Sequence, residues 1–585
     1  MRRTVVVTLL AALACAGAPR GGGEGGAAPG AVTLTVLSTN DFHGALSGVD
    51  DPDLAGPGGR LGGVEYLAGM VSKLRAEAPG PTLLLDAGDC FQGELAVNAS
   101  EGMACVRMFN LLKYDAVTIG NHEFDYLSCG PDEQTIERGP EGWVTKVPPD
   151  PRCALRKAVG EARYAVVSAN VRDAATGERG PVPGARPYAI VDVGGGVKVG
   201  VTGVVTRSTP MVSNPGGASG LSFTDPVLEV RDVLPGMRAE GAGVIVVLAH
   251  VTGDCRRREA GIPADGTTPC KVTGELADLA DGFGPGEVDL IVAGHSHVFL
   301  AGGKNRVPVM EGVAQGRFLG HARIAVDPVT RKAAAGGVRV LPPVPVCRAE
   351  DGASRVCSKS YPGFAGVASP DAEALRLREE ADAVVAGTCR QVVATATADI
   401  VHDRGRESAL ANLAMDLMRE AATPETGALG PAPADFAFMN MGATRDSLRT
   451  GPISACDLHR VWPFEDRLAE LSLTGEELAS LFGFVTGKVR KALALSGGTL
   501  VVHGGRGGVE LLDASGKPVD PARTYRVVTT LYLLRGGDRV NEVLGHLPPE
   551  RVRILSYPTY RDALRLMMSK RGRISPPTLG RIVDR

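Results

Sequence analysis

Five short apolar runs in the first half of the chain each stop at a turn carrying Asp, Asn or His. They are Val32 to Leu37, Thr82 to Asp86, Asp115 to Ile119, Val244 to Leu248 and Val288 to Val292. Runs of this length and character read as buried strands. In an open α/β sheet the strand C-terminal ends form the ligand crevice, so the polar residues just beyond them are expected to converge.

The turns carry specific chemistry. Asp41 and His43 in Asn40-Asp41-Phe42-His43-Gly44 are two apart, and in extended chain they point to the same side. Asp89 leaves its strand through a glycine turn, Gly88-Asp89-Cys90-Phe91-Gln92-Gly93. In Gly120-Asn121-His122-Glu123-Phe124-Asp125, Gly120 permits a sharp turn, Asn121 offers a neutral oxygen and His122 an imidazole. Asp125 follows closely enough to hold that ring in one tautomer. His250 follows the fourth run in Leu248-Ala249-His250-Val251-Thr252-Gly253, and Gly294-His295-Ser296-His297 supplies two more imidazoles. Singly, each reads as a polar loop.

Together they supply seven metal donors: Asp41, His43, Asp89, Asn121, His250, His295 and His297. One tetrahedral site uses four. Two sets of four that share a carboxylate use all seven, and Asp89 is the natural bridge. Two metals about 3.5–4 Å apart hold a hydroxide between them and clamp a phosphoryl group. Mixed oxygen and nitrogen donors suit zinc, manganese, iron or cobalt. His122 with Asp125 then reads as a catalytic pair.

At 585 residues the chain exceeds one core. Sixty-three basic against 66 acidic residues, a net charge of −3 without long blocks of one sign, leave no footprint for nucleic acid or an acidic membrane. Arg2 and Arg3 precede an apolar run, Val5 to Ala14, too short to span a bilayer but suited to a signal peptide over residues 1–14. Ala12-Leu13-Ala14-Cys15 resembles a bacterial lipoprotein signal, with Ala12 where Leu is usual. Export to the periplasm or cell surface is expected, with the only membrane contact a lipid on Cys15 and a flexible tether over 15–30. No apolar tail closes the chain, so a C-terminal lipid anchor is not expected. Without Cys15, ten cysteines remain, and an exported chain can pair them; Cys255 with Cys270 and Cys347 with Cys357 are the local bridges expected, though spacing alone does not settle the pairing.

The divisions expected are a first domain over 31–345, a linker over 346–390 that includes a helix from Pro370 to Ala386, and a second α/β domain over 391–585 with a helix from Ala409 to Glu420. Asn98-Ala99-Ser100 and the glycine runs at 194–196 and 504–508 carry only bland readings, as a sequon without consequence and as turns.

The four motifs D-x-H, G-D-x-x-Q-G, G-N-H-E-F-D and G-H-S-H, in this order, resemble the calcineurin-like metallophosphoesterases. The likeness is closer to the secreted 5′-nucleotidase family, which includes periplasmic UDP-sugar hydrolases. It implies an α/β fold: a four-layer β-sandwich flanked by helices, joined by a helix to a smaller α/β domain. It implies one metal on Asp41, His43, Asp89 and His297 and a second on Asp89, Asn121, His250 and His295. His297 stands where that family often has Gln or Asn. His122 would stabilise the transition state or protonate the leaving oxygen.

In the second half, Asn440-Met441-Gly442-Ala443-Thr444-Arg445 is similar to the family's N-x-G-G-x-R, with Ala443 in place of glycine. Pro463-Phe464-Glu465-Asp466 has Asp where Asn is usual, and Leu531 to Asp538 matches a third element. The resemblance implies that Phe464 and Tyr532 stack the base, Asp538 binds ribose, and Arg404 and Arg445 grip phosphate beside Asn440 and Gly442. Arg406 is an alternative to Arg404. The activity implied is release of phosphate from nucleoside 5′-monophosphates, and from UDP-sugars. The same scaffold also serves 2′,3′-cyclic-nucleotide phosphodiesterases with 3′-nucleotidase activity and thiosulfohydrolases. A surface lipoprotein that binds nucleotides without turnover is the reading from a different class.

Overall fold

The computed structural model describes residues 32–584 except 57–58, 128, 131–135, 140–141, 146, 256–265, 269–270, 349–353, 404–405, 424–432, 490–492 and 504–507. The leader, Cys15 and the tether lie outside the described residues, as do Cys270, Arg404 and most of the 504–508 glycine run.

The apolar runs become strands buried on both faces, and strict alternation assigns each side chain to a layer. Strand Val32–Thr39 pairs in parallel with Thr82–Asp86, which pairs in parallel with Ala116–Thr118, and Ala165–Val167 follows. Phe318–Val326 and Ala333–Pro345 complete this six-stranded sheet in antiparallel register. A second sheet orders Tyr188–Asp192, Lys198–Val205, Val244–His250, Leu290–Gly294, Val309–Gly312 and Phe299–Gly302.

Leu34, Val36, Leu83 and Leu85 of the first sheet share one buried cluster with Val199, Val201, Val246, Leu248 and Val292 of the second. The two sheets therefore pack face to face. Their alternate residues turn outward onto helices. Leu37 and Leu84 meet helices Val64–Glu77 and Met103–Leu112, while Ile245, Val247 and Ala249 meet Pro226–Ala239 and Glu275–Gly282. Four layers result, as the resemblance implied. One detail differs: the donor-bearing strands divide between two sheets, three in the first and two in the second.

Helix Ala372–Cys389 begins at Asp371, whose carboxylate accepts from the backbone N–H groups of Glu373 and Ala374. It lies against Val64–Glu77, where Arg378 pairs with the buried Glu65 at 2.7 Å. A disulfide from Cys389 to Cys456 fastens its end to the C-terminal half. There a five-stranded sheet runs Leu493–Ser496, Phe436–Asn440, Thr524–Thr530, Leu468–Thr474, Val552–Ile554. Helices Ala409–Ala421 and Tyr560–Arg571 cover one face and Gly475–Phe484 the other.

Disulfides also join Cys90 to Cys105, Cys129 to Cys153 and Cys347 to Cys357. Cys255 is disulfide-bonded as well. Among the described residues no helix is long and apolar enough to cross a membrane.

Candidate active site

The C-terminal ends of the parallel strands of both sheets meet at one place, and the seven donors gather there. Ligand atoms of Asp41, His43 and His297 lie within 4.8 Å of one another, and so do those of Asp89, His250 and His295. His43 Nε2 is 3.1 Å from His297 Nε2, which is 3.2 Å from Asp41 Oδ1. His250 Nε2 is 3.0 Å from both Asp89 Oδ2 and Asn121 Oδ1. His250 is the last residue of its strand rather than part of the following turn.

Hydrogen bonds fix which atoms face inward. His250 Nδ1 lies 2.8 Å from the Ala87 carbonyl, which only accepts, so Nδ1 carries the hydrogen. Asn121 donates its amide N–H to Val212 O at 2.9 Å, which turns its oxygen toward His250. The lone pair of His250 Nε2 thus faces two oxygens. His43 is held alike: Nδ1 donates to Gln92 O at 3.2 Å and Nε2 faces a second imidazole nitrogen. Ring nitrogens and oxygens converge here from both sets, and this donor set fits two divalent ions. The field favours positive charge at this place: burial opposes it on His250, yet Asp89 and Asp41 push its pKa up to about 10, so without a metal a proton on Nε2 stands where a cation would be held.

The backbone is strained at these positions. Asp41 (φ 47°), His43 (47°), Asp89 (60°), His295 (82°) and His297 (55°) all occupy the left-handed region. Non-glycine residues there cost about 1–3 kcal/mol each and cluster at functional sites. Gly120 is required by close approach, since a Cβ there would stand 2.2 Å from Asp89 Oδ1.

His122 sits beside the donors. Its backbone N–H donates to Asp89 Oδ1 at 2.8 Å, and Nδ1 donates to Asp125 Oδ2 at 2.6 Å. Asn214 holds the other Asp125 oxygen at 3.0 Å. Burial works against the charged imidazolium, but Asp125 and Asp89 outweigh it and raise the His122 pKa.

The opposite wall of a cavity of about 480 Å³ comes from the C-terminal half, with Asn440, Gly442, Arg445, Phe464, Tyr532 and Asp538. Arg445 Nη2 reaches His122 Nε2 at 3.0 Å, and its guanidinium lies 5.0 Å from the Phe464 ring centre. Tyr532 Oη donates to Met211 O at 2.6 Å across the two halves. Asp538 is buried with φ 49°. Arg406, the alternative to Arg404, points away, its side chain 85% exposed and paired with Asp403.

Sequence reasoning missed four supporting residues. The buried Glu123 carboxylate accepts from the N–H groups of Asp89, Cys90, Phe91 and Gly120 at 2.7–3.1 Å, tying two donor turns together. Asn40 donates to Asp41 Oδ2 at 2.7 Å. Gln92, with φ 64°, lines the cavity, and its buried Nε2 has no hydrogen-bond partner. Asp466 accepts from Tyr532 N at 2.9 Å and Arg535 Nη2 at 3.3 Å, so it holds the Tyr532 turn. Glu123 and Gln92 stand inside the motifs, which is the only signal the sequence offers for them.

Residues 34–299 match the model of the calcineurin-like phosphoesterases, and residues 385–546 that of the 5′-nucleotidase C-terminal domain. Fold, donor set and domain matches define the class, a calcineurin-like phosphoesterase fold that carries a candidate metal centre. The chain belongs to the calcineurin-like phosphoesterases that carry a 5′-nucleotidase C-terminal domain.

It is 26% identical over 514 residues to Endonuclease YhcR of Bacillus subtilis, covering 86% of this chain and 37% of that one. It is 25% identical over 535 residues to Protein UshA of Yersinia enterocolitica, covering 86% of each. The crystal structure of a 5′-nucleotidase precursor from Thermus thermophilus superposes with a TM-score of 0.71 at 27% identity, over 94% of this chain and 99% of that one. The chain spans less than half the length of the first curated relatives it matches.

Proposed function

We propose that this chain is an exported 5′-nucleotidase that releases phosphate from nucleoside 5′-monophosphates, with UDP-sugars as further substrates. The observation that carries the reading is the contact of Arg445 with His122. It joins one cavity whose two walls differ in chemistry, metal donors on one side and aromatic rings with an arginine on the other.

In this reading Asp41, His43, Asp89 and His297 hold one divalent cation, and Asp89, Asn121, His250 and His295 the other. The two ions, zinc, manganese or similar, supply an activated water and neutralise charge on the phosphoryl oxygens. His122, oriented by Asp125, donates an Nε2 proton to the departing nucleoside oxygen once Arg445 turns from it to phosphate, and Asp125 and Asp89, by raising its pKa, favour that proton. Arg445 and Arg404 hold phosphate oxygens, Phe464 and Tyr532 stack the base, Asp538 takes the ribose, and Asn440 and Gly442 complete the pocket. Buried Asn440 Oδ1 without a partner supports a polar ligand here.

The domain limits 31–345, 346–390 and 391–585 accompany this division of labour, and closure of one half over the other would align base and phosphate. Export, and a lipid on Cys15, rest on the sequence of residues 1–15. Phosphate release from AMP, UDP-glucose, 2′,3′-cyclic AMP and p-nitrophenyl phosphate, with manganese or zinc and with EDTA, tests the reading. Preference for AMP abolished by EDTA is expected. Preference for the cyclic ester would overturn the substrate, and equal rates on all four would remove base recognition.

A further inference from the structure

Away from the active-site cavity, helices Ala455–Val461 and Tyr560–Arg571 meet the end of Ala372–Cys389 around a second cavity of about 160 Å³. It is lined by Thr388, Leu458, His459, Arg561, Asp562 and Arg565. Two guanidiniums and an imidazole stand there beside the Asp562 carboxylate, and Arg561 also pairs with Glu465 outside the cavity lining. One oxygen of that carboxylate is taken by the helix cap, where Asp562 Oδ2 accepts from Thr559 Oγ1 at 2.9 Å, and Oδ1 lies 3.6 Å from Arg565.

Buried His459 Nδ1 has no hydrogen-bond partner. The Arg561 side chain is only 6% exposed, whereas Arg565, at 46%, stands at the mouth. Arg565 is weakly committed, 3.6 Å from Asp562 and 3.5 Å from Gln391. Burial chiefly, with Arg561 and Arg565 adding to it, pulls the His459 pKa down to about 3, so the ring is neutral. A guanidinium at the mouth and an unpartnered ring nitrogen inside favour an anion between them. The cavity is smaller than the roughly 300–1,000 Å³ of sites for drug-sized ligands, so a nucleoside does not fit.

We propose that this cavity is a binding site for one small tetrahedral oxyanion of the phosphate class, held by Arg565, Arg561 and His459. The anion would take the fork of Arg565 and the Nδ1–H tautomer of His459. Arg561 also donates to Trp462 O at 2.9 Å, so an anion here braces the segment that leads into Phe464. The site stands whether or not the hydrolase reading holds.

Equilibrium dialysis of the metal-loaded full chain against radiolabelled inorganic phosphate tests it, because phosphate bound at the metal centre is common to all variants. Wild type is expected to bind one more phosphate per chain than Arg565→Gln, whose hydrolytic rate stays unchanged. Equal stoichiometry in the two proteins overturns the proposal. Should Arg565→Gln fail to fold, crystals of the wild type soaked in selenate decide: an anomalous peak between Arg565 and His459 supports the site, and no peak there overturns it.

Discussion

Arg445 Nη2 and His122 Nε2, 323 residues apart in sequence, meet at 3.0 Å. Arginine only donates, so Nε2 accepts and the imidazole hydrogen sits on Nδ1, facing Asp125. A phosphate entering between the two groups takes the guanidinium donor and releases Nε2 for proton transfer. Arg445→Ala is therefore expected to lower kcat/KM for AMP by about 10²–10³-fold, the scale for one donor aimed at developing charge. Arg445→Lys should recover little, because an ammonium lacks the planar fork. Steady-state kinetics with circular dichroism of each variant checks this, and an unchanged rate in Arg445→Ala would sink the role.

Tyr532 carries two separable interactions, its ring in the cavity and its hydroxyl on Met211 O at 2.6 Å. Tyr532→Ala should weaken AMP binding by roughly 1–3 kcal/mol, the scale of base stacking, and leave p-nitrophenyl phosphate unaffected. Tyr532→Phe keeps the ring and should leave KM for AMP near wild type, while loosening the contact between the halves. A loss of both substrates alike in Tyr532→Ala would assign the ring to packing.

The five donor turns were legible because each strand has an apolar run of its own length and ends in a glycine or polar residue. Val32 to Leu37 extends to Thr39, and Val244 to Leu248 reaches His250. These shifts follow from pairing with neighbours, which the isolated runs do not encode. Division of the strands between two sheets was equally hidden, since Leu85 and Val246 look alike in sequence and acquire their layers only through alternation and contact. Glu123 was passed over because its partners are backbone N–H groups 32–34 residues earlier, and backbone donors leave no mark on composition.

Glu123 now carries a prediction of its own. An amide in its place has one oxygen for four N–H donors, and its own N–H₂ would face donors. Glu123→Gln should leave at least one buried donor unsatisfied, costing about 1–3 kcal/mol. It should also loosen metal binding about 10–100-fold, as loss of a supporting partner does. Thermal unfolding and competition with a chelator read the two effects separately. An unaltered metal affinity would confine Glu123 to the fold.

Acid stability has a local origin in the first domain. Burial alone would raise the Glu229 carboxyl, but hydrogen bonds from Arg172 and Arg179 reverse this and hold it at about 2. A depressed carboxyl contributes stability above its unfolded value near 4.5, and that contribution disappears as pH falls from there toward 2. Unfolding midpoints measured between pH 6 and 2 should therefore fall less steeply in Glu229→Gln than in the wild type, from a lower starting value. Parallel curves for the two proteins would assign the acid sensitivity elsewhere.

His297 tests the metal centre itself, because the resemblance drawn from the motifs leads one to expect an amide at this position. Its Nε2 lies 3.2 Å from Asp41 Oδ1 and 3.1 Å from His43 Nε2, so this half of the site presents two imidazoles. Imidazole suits zinc, whereas carbonyl oxygen suits manganese. Asparagine tolerates the φ of 55° found here, so His297→Asn exchanges the donor atom without new backbone strain. The ratio of manganese-supported to zinc-supported phosphate release is expected to rise on the order of tenfold in this variant, the effect of losing one nitrogen donor. His297→Ala removes the donor altogether and should depress the rate with either metal. If all three proteins gave the same ratio, His297 would not reach a metal, and the two-ion assignment would have to find its seventh donor elsewhere.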